Sequence, residues 1–299
     1  MLSVKLPKGR YVVAVSGGVD SMVLLDILRR VPDLTLVVAH FNHGVRPDAG
    51  QDEKLVHHYA MSHNIEFVSK SVKLGANVSE GAARNARYAF LRQCRKRFNA
   101  DFIVTAQHKD DLLETVVINL LRGTGWRGLA PFTNTNDVLR PLINYGKSAI
   151  IDYAKTNNVP WREDSTNQDQ RYLRNYVRQS LIPRLQVAVP QFNIKLLRLV
   201  RKQQLLRRTI ESQLDDMLAP GTAIDRHILI MLSPQLAYEL LQQFLRRTMG
   251  TSLVRDLAEA TLLFAKTAKP GKTMSLDASW RARATPKQLI VELRPTVLS

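Results

Sequence analysis

The chain has 299 residues, 45% apolar and 23% charged, proportions that exclude a disordered or collagen-like polypeptide. At roughly 150 residues per domain, the length accommodates two domains with substantial cores. Forty-three Lys and Arg against 26 Asp and Glu give a formal net charge of +17; this points to a polyanionic partner, with nucleic acid ahead of a membrane surface because no amphipathic helix with bulky aromatics accompanies the charge.

Short runs rich in Val, Ile and Phe at residues 11–15, 34–41, 65–69 and 102–105 read as buried parallel strands. None approaches the length needed to cross a bilayer, and MLSVKLPKGR has no signal-peptide core, so a cytoplasmic protein is expected. Between the strands, residues 20–30, 49–63, 80–98 and 110–122 carry helical patterning. This alternation predicts a Rossmann-like doubly wound parallel α/β domain, with ligands beyond the carboxyl ends of its strands. The only cysteine, Cys94, falls on the apolar stripe Ala83, Ala86, Phe90, Cys94 and Phe98 of the third helix. It reads as packing, and its solitude excludes a disulfide, a CxxC pair and a cysteine-ligated zinc or iron–sulfur site within one chain.

After Arg140 the pattern changes to a short 140–143 segment, a helix over 147–157, a polar stretch 160–170 and then a run of helices. Residues 140–208 hold 14 Lys and Arg against four Asp and Glu. Leu196, Val200, Gln203, Leu206, Ile210, Leu214 and Met217 define one face of a long helix whose other faces carry Lys195, Arg198, Arg201, Lys202, Arg207 and Arg208. Helices at 234–248 and 253–265 precede strands 273–282 and 288–293, which read as a terminal β-hairpin. Two prolines, Pro183 and Pro190, bracket the expected boundary. A catalytic domain over 1–186 is therefore followed by a smaller, mainly helical domain over 187–299.

Directly after the first strand comes Ser16-Gly17-Gly18-Val19-Asp20-Ser21, leading into a helix. Backbone amides and a helix dipole meet there, the glycines allow close approach of an anion, the serines can donate, and Asp20 can hold magnesium or cap the helix. No Walker lysine follows, and a plain glycine turn is the competing reading. Gly123-Thr124-Gly125-Trp126-Arg127-Gly128 matches G-x-G-x-x-G but follows a helix, so it reads as a helix terminus and flexible loop and not as a dinucleotide site. Arg84 and Arg87 share a face near the start of the third helix and suit a nucleotide phosphate, or else a solvated basic face. Asp111 and Glu114 lie three apart after the fourth strand, where they can bind magnesium or an ammonium group, or simply complement a helix N-terminus. His40 and His43 have metal-like spacing without a third ligand and read as polar rim.

Taken together, these residues resemble the tRNA(Ile)-lysidine synthetases of the PP-loop ATP pyrophosphatase group. SGGVDS is the group's shared phosphate loop. Specificity lies in the ordered set HFNHGVR, SEGAARNARYAFL, TAQHKDDLLET, RGTGWRGLAPF, Arg140-Pro141-Leu142, EDSTN and RNYVR, with Gln107 where the family often has a second histidine. The resemblance covers about the first 180 residues and implies ATP-dependent ligation of L-lysine to C2 of the wobble cytidine, position 34, of a CAU-anticodon tRNA(Ile), changing decoding from AUG to AUA. It implies that Ser16 to Ser21 bind ATP, that Asp20 holds Mg2+, and that Arg84 and Arg87 stabilise the phosphates. It further implies that Asp111 and Glu114 recognise lysine, that His108 polarises or relays a proton, and that Arg122, Arg171, Arg174 and Arg178 meet the tRNA. Family members also occur in longer forms, and this chain resembles the short one, with Lys195–Arg208 as a candidate tRNA contact. The rival readings are a thiolase of the same group, which needs cysteines, a noncatalytic tRNA-binding protein and a small-molecule ligase.

Overall fold

The computed structural model describes residues 2–42, 49–72, 80–132, 137–163 and 173–294. The first half alternates β1 (Gly9–Ala14), α1 (Val19–Arg29), β2 (Leu34–Asn42), α2 (Ala49–Ser62), β3 (Glu66–Ser71), α3 (Glu80–Arg97), β4 (Phe102–Val104), α4 (Lys109–Leu121), β5 (Val138–Leu139) and α5 (Lys147–Thr156). All five strands are parallel in the order β3-β2-β1-β4-β5. The order reverses between β1 and β4, and in doubly wound sheets the crevice beyond the carboxyl ends at that point takes the ligand. The loops after β1 and β4 both open there.

Alternation along the strands separates two apolar layers. Tyr11, Val13, Val38 and Val104 pack with α1 and with Ile150 and Ala154 of α5. Val12, Val37, Ala39, Ile103 and Val138 pack against Tyr88, Leu91 and Cys94 of α3. Burial of its thiol raises the Cys94 pKa despite the nearby Arg97 and Lys70, as expected of a packing residue. The expected 140–143 segment is a turn after the two-residue β5, closed by Ile143 N–H to Arg140 carbonyl at 3.2 Å.

Helical turns α6 (Leu173–Tyr176) and α7 (Ile182–Ala188) are joined by a π turn at Val177–Leu181. Pro183 within this run has no N–H for Gln179, and a widened turn accommodates such a break. The long helix α8 spans Phe192–Asp216.

The chain forms two compact units, 1–204 and 205–299, a division later than the expected 186/187. Leu196 and Val200 pack with Leu112, Leu113, Val116, Val177 and Ile182, so the beginning of α8 belongs to the first unit. The expected stripe along α8 is correspondingly interrupted: Leu214 is buried, whereas Leu206 and Met217 are exposed.

The second unit contains β6 (Ala223–Asp225), α9 (Arg226–Met231), α10 (Pro234–Met249), α11 (Arg255–Thr267), β7 (Thr273–Ser275), β8 (Trp280–Ala284) and β9 (Gln288–Leu293). The expected terminal hairpin is β8–β9, within a four-stranded antiparallel sheet of order β6-β9-β8-β7. The single strand expected over 273–282 is split where the Asp277 carboxylate accepts from the Ser279 and Trp280 N–H groups at 2.7 Å each. An Asx turn of this kind competes with the ladder. Among the described residues, no helix is long and apolar enough to cross a membrane.

Candidate active site

The loop after β1 turns through Gly17 at φ +93°, a conformation that favours glycine. A Cβ there would lie 3.2 Å from the Cβ of Asp52. The loop is closed internally: Ser16 N–H donates to Ser21 Oγ at 3.1 Å, and Ser21 Oγ donates to the Gly18 carbonyl at 2.9 Å. It is braced from outside as well, since Arg162 N–H donates to the Gly17 carbonyl at 3.0 Å while Arg162 Nε donates to Asp52 at 2.9 Å. Gly18 is the N-cap of α1 and Val19 its first residue. The first-turn amides of a helix have no intrahelical acceptor, so this preset loop offers donors and a positive dipole end to an anion.

The loop after β4 supplies acid. His108 caps α4: its Nδ1 accepts from Asp110 N–H at 3.2 Å, and its own N–H donates to Asp111 Oδ2 at 3.1 Å. With Nδ1 accepting, Nε2 carries the proton, and it lies 3.4 Å from Asp111 and 3.7 Å from Asp20. Across the crevice, Lys147 Nζ donates to both Asp20 carboxylate oxygens at 2.7 Å. The Asp110 carboxylate accepts from the Lys147 N–H at 2.6 Å, and Lys109 N–H donates to the Tyr145 carbonyl at 2.9 Å. The beginnings of α4 and α5 are thus fastened together.

Glu114, one turn along α4, is 2% exposed. It accepts from Arg178 Nε at 2.6 Å and Nη2 at 3.0 Å, and from Arg174 Nε at 3.3 Å. Arg178 Nη2 also reaches Asp111 Oδ1 at 3.4 Å. Burial works to lower the Arg178 pKa, but Glu114, Asp111 and Asp20 outweigh it and hold the guanidinium above its ordinary value. A cleft of about 250 Å³ lies beside this set, lined by His108, Asp110, Glu114, Lys147 and Arg178 with the apolar Leu113, Ile182 and Pro183.

A separate arginine–aromatic cluster sits on α3. The guanidinium carbons of Arg84 and Arg87 lie 5.1 and 5.9 Å from the Tyr88 ring centre. That of Arg140 lies 5.4 Å from the Phe132 ring centre. Burial pushes the Tyr88 phenol up, yet Arg84, Arg140 and Arg87 bring it below its ordinary value.

The structure therefore gathers Asp20, His108, Asp111 and Glu114 at one crevice, and stacks Arg84 and Arg87 on Tyr88 in their own group. Arg174 and Arg178, expected on tRNA, engage Glu114, because their spacing of four puts both guanidinium groups on one face of the widened helix. Ser21, expected as an anion donor, gives its hydroxyl hydrogen to the Gly18 carbonyl. Arg122 is the exposed C-cap of α4; Gly123 follows at φ +64°, and residues Trp126–Leu129 form a 3₁₀ turn, with Asn119 Nδ2 donating to the Gly128 carbonyl at 2.8 Å. His40, expected at a polar rim, is buried, its Nδ1 2.9 Å from the Val15 carbonyl. Arg171, His43 and most of EDSTN lie outside the described residues. Lys147, Asp52 and Arg162 were not legible as site residues, having no motif spacing to mark them.

A PP-loop domain family matches residues 2–185. A tRNA(Ile)-lysidine synthase of Enterococcus faecalis is 30% identical over 98% of this chain and 68% of its own length. The chain belongs to the tRNA(Ile)-lysidine synthase family. Another lysidine synthase, from Thermotoga maritima, is 34% identical over 77% of this chain, and the match spans 58% of that relative's length. Among solved structures, the U34-tRNA thiolase NcsA of Methanococcus maripaludis, described with its [4Fe-4S] cluster, aligns at TM-score 0.55 over 67% of this chain and 73% of its own, with 17% identity. At that identity the likeness is one of fold.

Proposed function

We propose that the chain ligates L-lysine to C2 of cytidine 34 in a CAU-anticodon tRNA(Ile), with ATP converted to AMP and diphosphate, so that the anticodon reads AUA in place of AUG. The observation that carries this reading is the placement of a braced phosphate loop and an acidic set on opposite sides of one crevice at the sheet's switch point. Two half-reactions need such an arrangement. The cytidine C2 oxygen attacks the α-phosphorus of ATP and expels diphosphate. The lysine ε-amine then attacks C2, and the C–O bond breaks to release AMP.

Backbone donors of the Gly17–Ser21 turn suit the phosphates, whose charge they meet without reorganisation. Asp111, half-buried and 3.4 Å from His108 Nε2, suits the lysine ammonium, while Leu113, Ile182 and Pro183 of the adjoining cleft offer apolar surface to its stem. His108 Nε2–H, near both Asp20 and Asp111, is placed to orient either carboxylate. Magnesium arriving with ATP would find one carboxylate, Asp20, of the kind it accepts alongside phosphate oxygens, and would neutralise phosphate charge there. Among the described residues, no three-ligand His, Cys, Asp or Glu cage competes with that reading. The thiolase reading finds no support in Cys94, buried among apolar side chains.

The test is incorporation of labelled lysine into an unmodified CAU-anticodon tRNA(Ile) transcript with ATP, with elongator tRNA(Met) of the same anticodon as control. Label in tRNA(Ile) alone supports the reading, and label in neither refutes it.

A further inference from the structure

We propose that Arg140 and Tyr88 form an anion pocket on the α3 side of the sheet that takes a backbone phosphodiester of the RNA substrate, beside the nucleotide that reacts. The inference rests on the tRNA reading given above and assigns a site separate from the phosphate loop and the acidic crevice.

Two buried polar side chains define the pocket. Arg140 and Tyr88 are each 9% exposed, and neither Nε nor Nη1 of Arg140 nor the Tyr88 hydroxyl has a hydrogen-bond partner among the described residues. Buried donors left unmatched are costly, a charged one most of all. The surroundings add charge of the same sign. Arg84 and Arg87 stack on the Tyr88 ring, and the Arg84 guanidinium carbon also lies 6.0 Å from the Phe132 ring centre. Arg92, a fourth arginine over Tyr88, is matched by the Asp137 carboxylate at 2.6 Å. Among the described residues, no carboxylate pairs with Arg140 in this way. An oxyanion accepting from Arg140 and from the Tyr88 hydroxyl would satisfy both side chains.

Strand geometry puts this pocket at the carboxyl end of the sheet, away from the acidic crevice. Val138 packs in the α3 layer and Leu139 in the layer shared with α1 and α5, so alternation returns Arg140 to the α3 side. Thr105 N–H donates to the Leu139 carbonyl at 3.0 Å, which sets Arg140 beside the end of β4, where the His108 loop departs. None of Arg84, Tyr88, Phe132 and Arg140 lines the cleft beside Glu114.

One buried guanidinium and one hydroxyl suit a singly charged phosphodiester, whereas the triphosphate has the glycine loop on the other side. RNA that brings its target base to the crevice carries a phosphate on either side of that nucleoside, and contacts to such phosphates fix register without reading sequence. A planar guanidinium matches phosphate oxygens and, being weakly hydrated, lies comfortably against the Phe132 ring.

The test uses Arg140→Gln and Tyr88→Phe in the full chain. Affinity for unmodified CAU-anticodon tRNA(Ile) is measured from about 50 to 200 mM salt, with ATP affinity by calorimetry and Tm alongside. Arg140→Gln is expected to weaken tRNA binding roughly ten- to a hundredfold at the lower salt and to flatten the slope of log K against log salt by about 0.7–0.9, one phosphate contact. Its ATP affinity should be unchanged and its Tm no lower than wild type, because an unmatched buried charge has gone. Tyr88→Phe keeps the ring and should cost several-fold in tRNA affinity. A tRNA with a single neutral methylphosphonate linkage 5′ or 3′ of cytidine 34 locates the partner: one of the two linkages should weaken binding to wild type and add nothing to the loss in Arg140→Gln.

An unchanged salt slope for Arg140→Gln overturns the proposal, as do methylphosphonate losses of equal size in wild type and variant at both linkages. A fall in ATP affinity matching the fall for tRNA assigns the anion to the nucleotide and overturns it as well. Should Arg140→Gln not fold, Tyr88→Phe carries the test with the same two tRNAs, and losses that simply add at both linkages overturn the site. Wild type that labels no tRNA with lysine overturns the reading of function itself, an outcome distinct from labelled tRNA accompanied by any of these failures, which overturns this site alone.

Discussion

Arg178 donates through Nε to Glu114 at 2.6 Å, so the second carboxylate of the acidic pair is occupied by an arginine from the π turn. Asp111 and Glu114 thereby acquire different duties. Glu114, buried beneath two guanidinium groups, holds the helical run Leu173–Ala188 against α4. Glu114→Gln should lower stability by about 1–3 kcal/mol, less than a fully buried pair would because Arg174 and Arg178 are partly solvated. In a protein of this size that corresponds to a fall in Tm of roughly 2–4 °C per kcal/mol. Unchanged melting of that variant would show that the pair does not support the fold.

Asp111 is more open, with its side chain 18% exposed against 3% for Glu114. Asp111→Asn keeps an oxygen to accept the His108 N–H and removes the charge. It is expected to raise the lysine KM about tenfold or more while leaving ATP affinity and Tm close to wild type. Lysine kinetics that do not move would remove Asp111 from lysine recognition.

Gly17 combines positive φ with close approach to Asp52. Gly17→Ala pays both a left-handed backbone penalty of about 1–2 kcal/mol and a contact at 3.2 Å that Asp52, paired with Arg162, resists relieving. The loop should shift, weakening ATP binding about tenfold, whereas Gly18→Ala, whose φ is −74°, should be milder. Equal ATP affinities for the two variants, measured by calorimetry, would contradict the braced loop.

Arg162→Met addresses the brace without touching the loop sequence. It removes the Asp52 partner while leaving the backbone N–H that reaches the Gly17 carbonyl. A modest loss of ATP affinity is expected, a few-fold, with no change in lysine KM. A change confined to lysine would instead tie Arg162 to the other half-reaction.

At the amino end of the sheet, Asp26 accepts from the Tyr59 hydroxyl at 2.6 Å, the Tyr153 hydroxyl at 2.8 Å and Arg29 Nε at 2.8 Å. Burial pushes its carboxyl pKa up, but the three donors outweigh burial and leave it below its ordinary value, while both phenols are pushed up to about 12. A carboxyl with a depressed folded pKa adds stability that is fully present above its unfolded value, near 3.8, and is lost as pH falls through the folded value. Asp26→Asn should therefore melt several degrees below wild type at about pH 7, and the difference should shrink below about pH 4. A difference independent of pH would show that the charge of Asp26 is not what the knot depends on.

Local pattern was enough to determine much of this protein. Two glycines between a Val-rich strand and an apolar-periodic helix marked the phosphate loop, and strand–helix alternation marked the parallel sheet. Asp111 and Glu114 were legible because three-residue spacing on a helix is a short-range signal. The two-residue strand β5 was not, since so short an edge segment carries no periodicity, and the late division of the chain was hidden because α8 reads as one continuous helix.

Tertiary structure alone decided which charges meet. Lys147 stands 127 positions from Asp20, Arg162 stands 110 from Asp52, and Arg178 stands 64 from Glu114. Each pairing depends on sheet order, crossover and the widened turn at Val177–Leu181, none of which a window of ten residues contains. Periodicity fixes what a helix or strand buries, because burial follows from the element's own geometry. Which oxyanion a lysine reaches follows only from where the neighbouring elements come to rest.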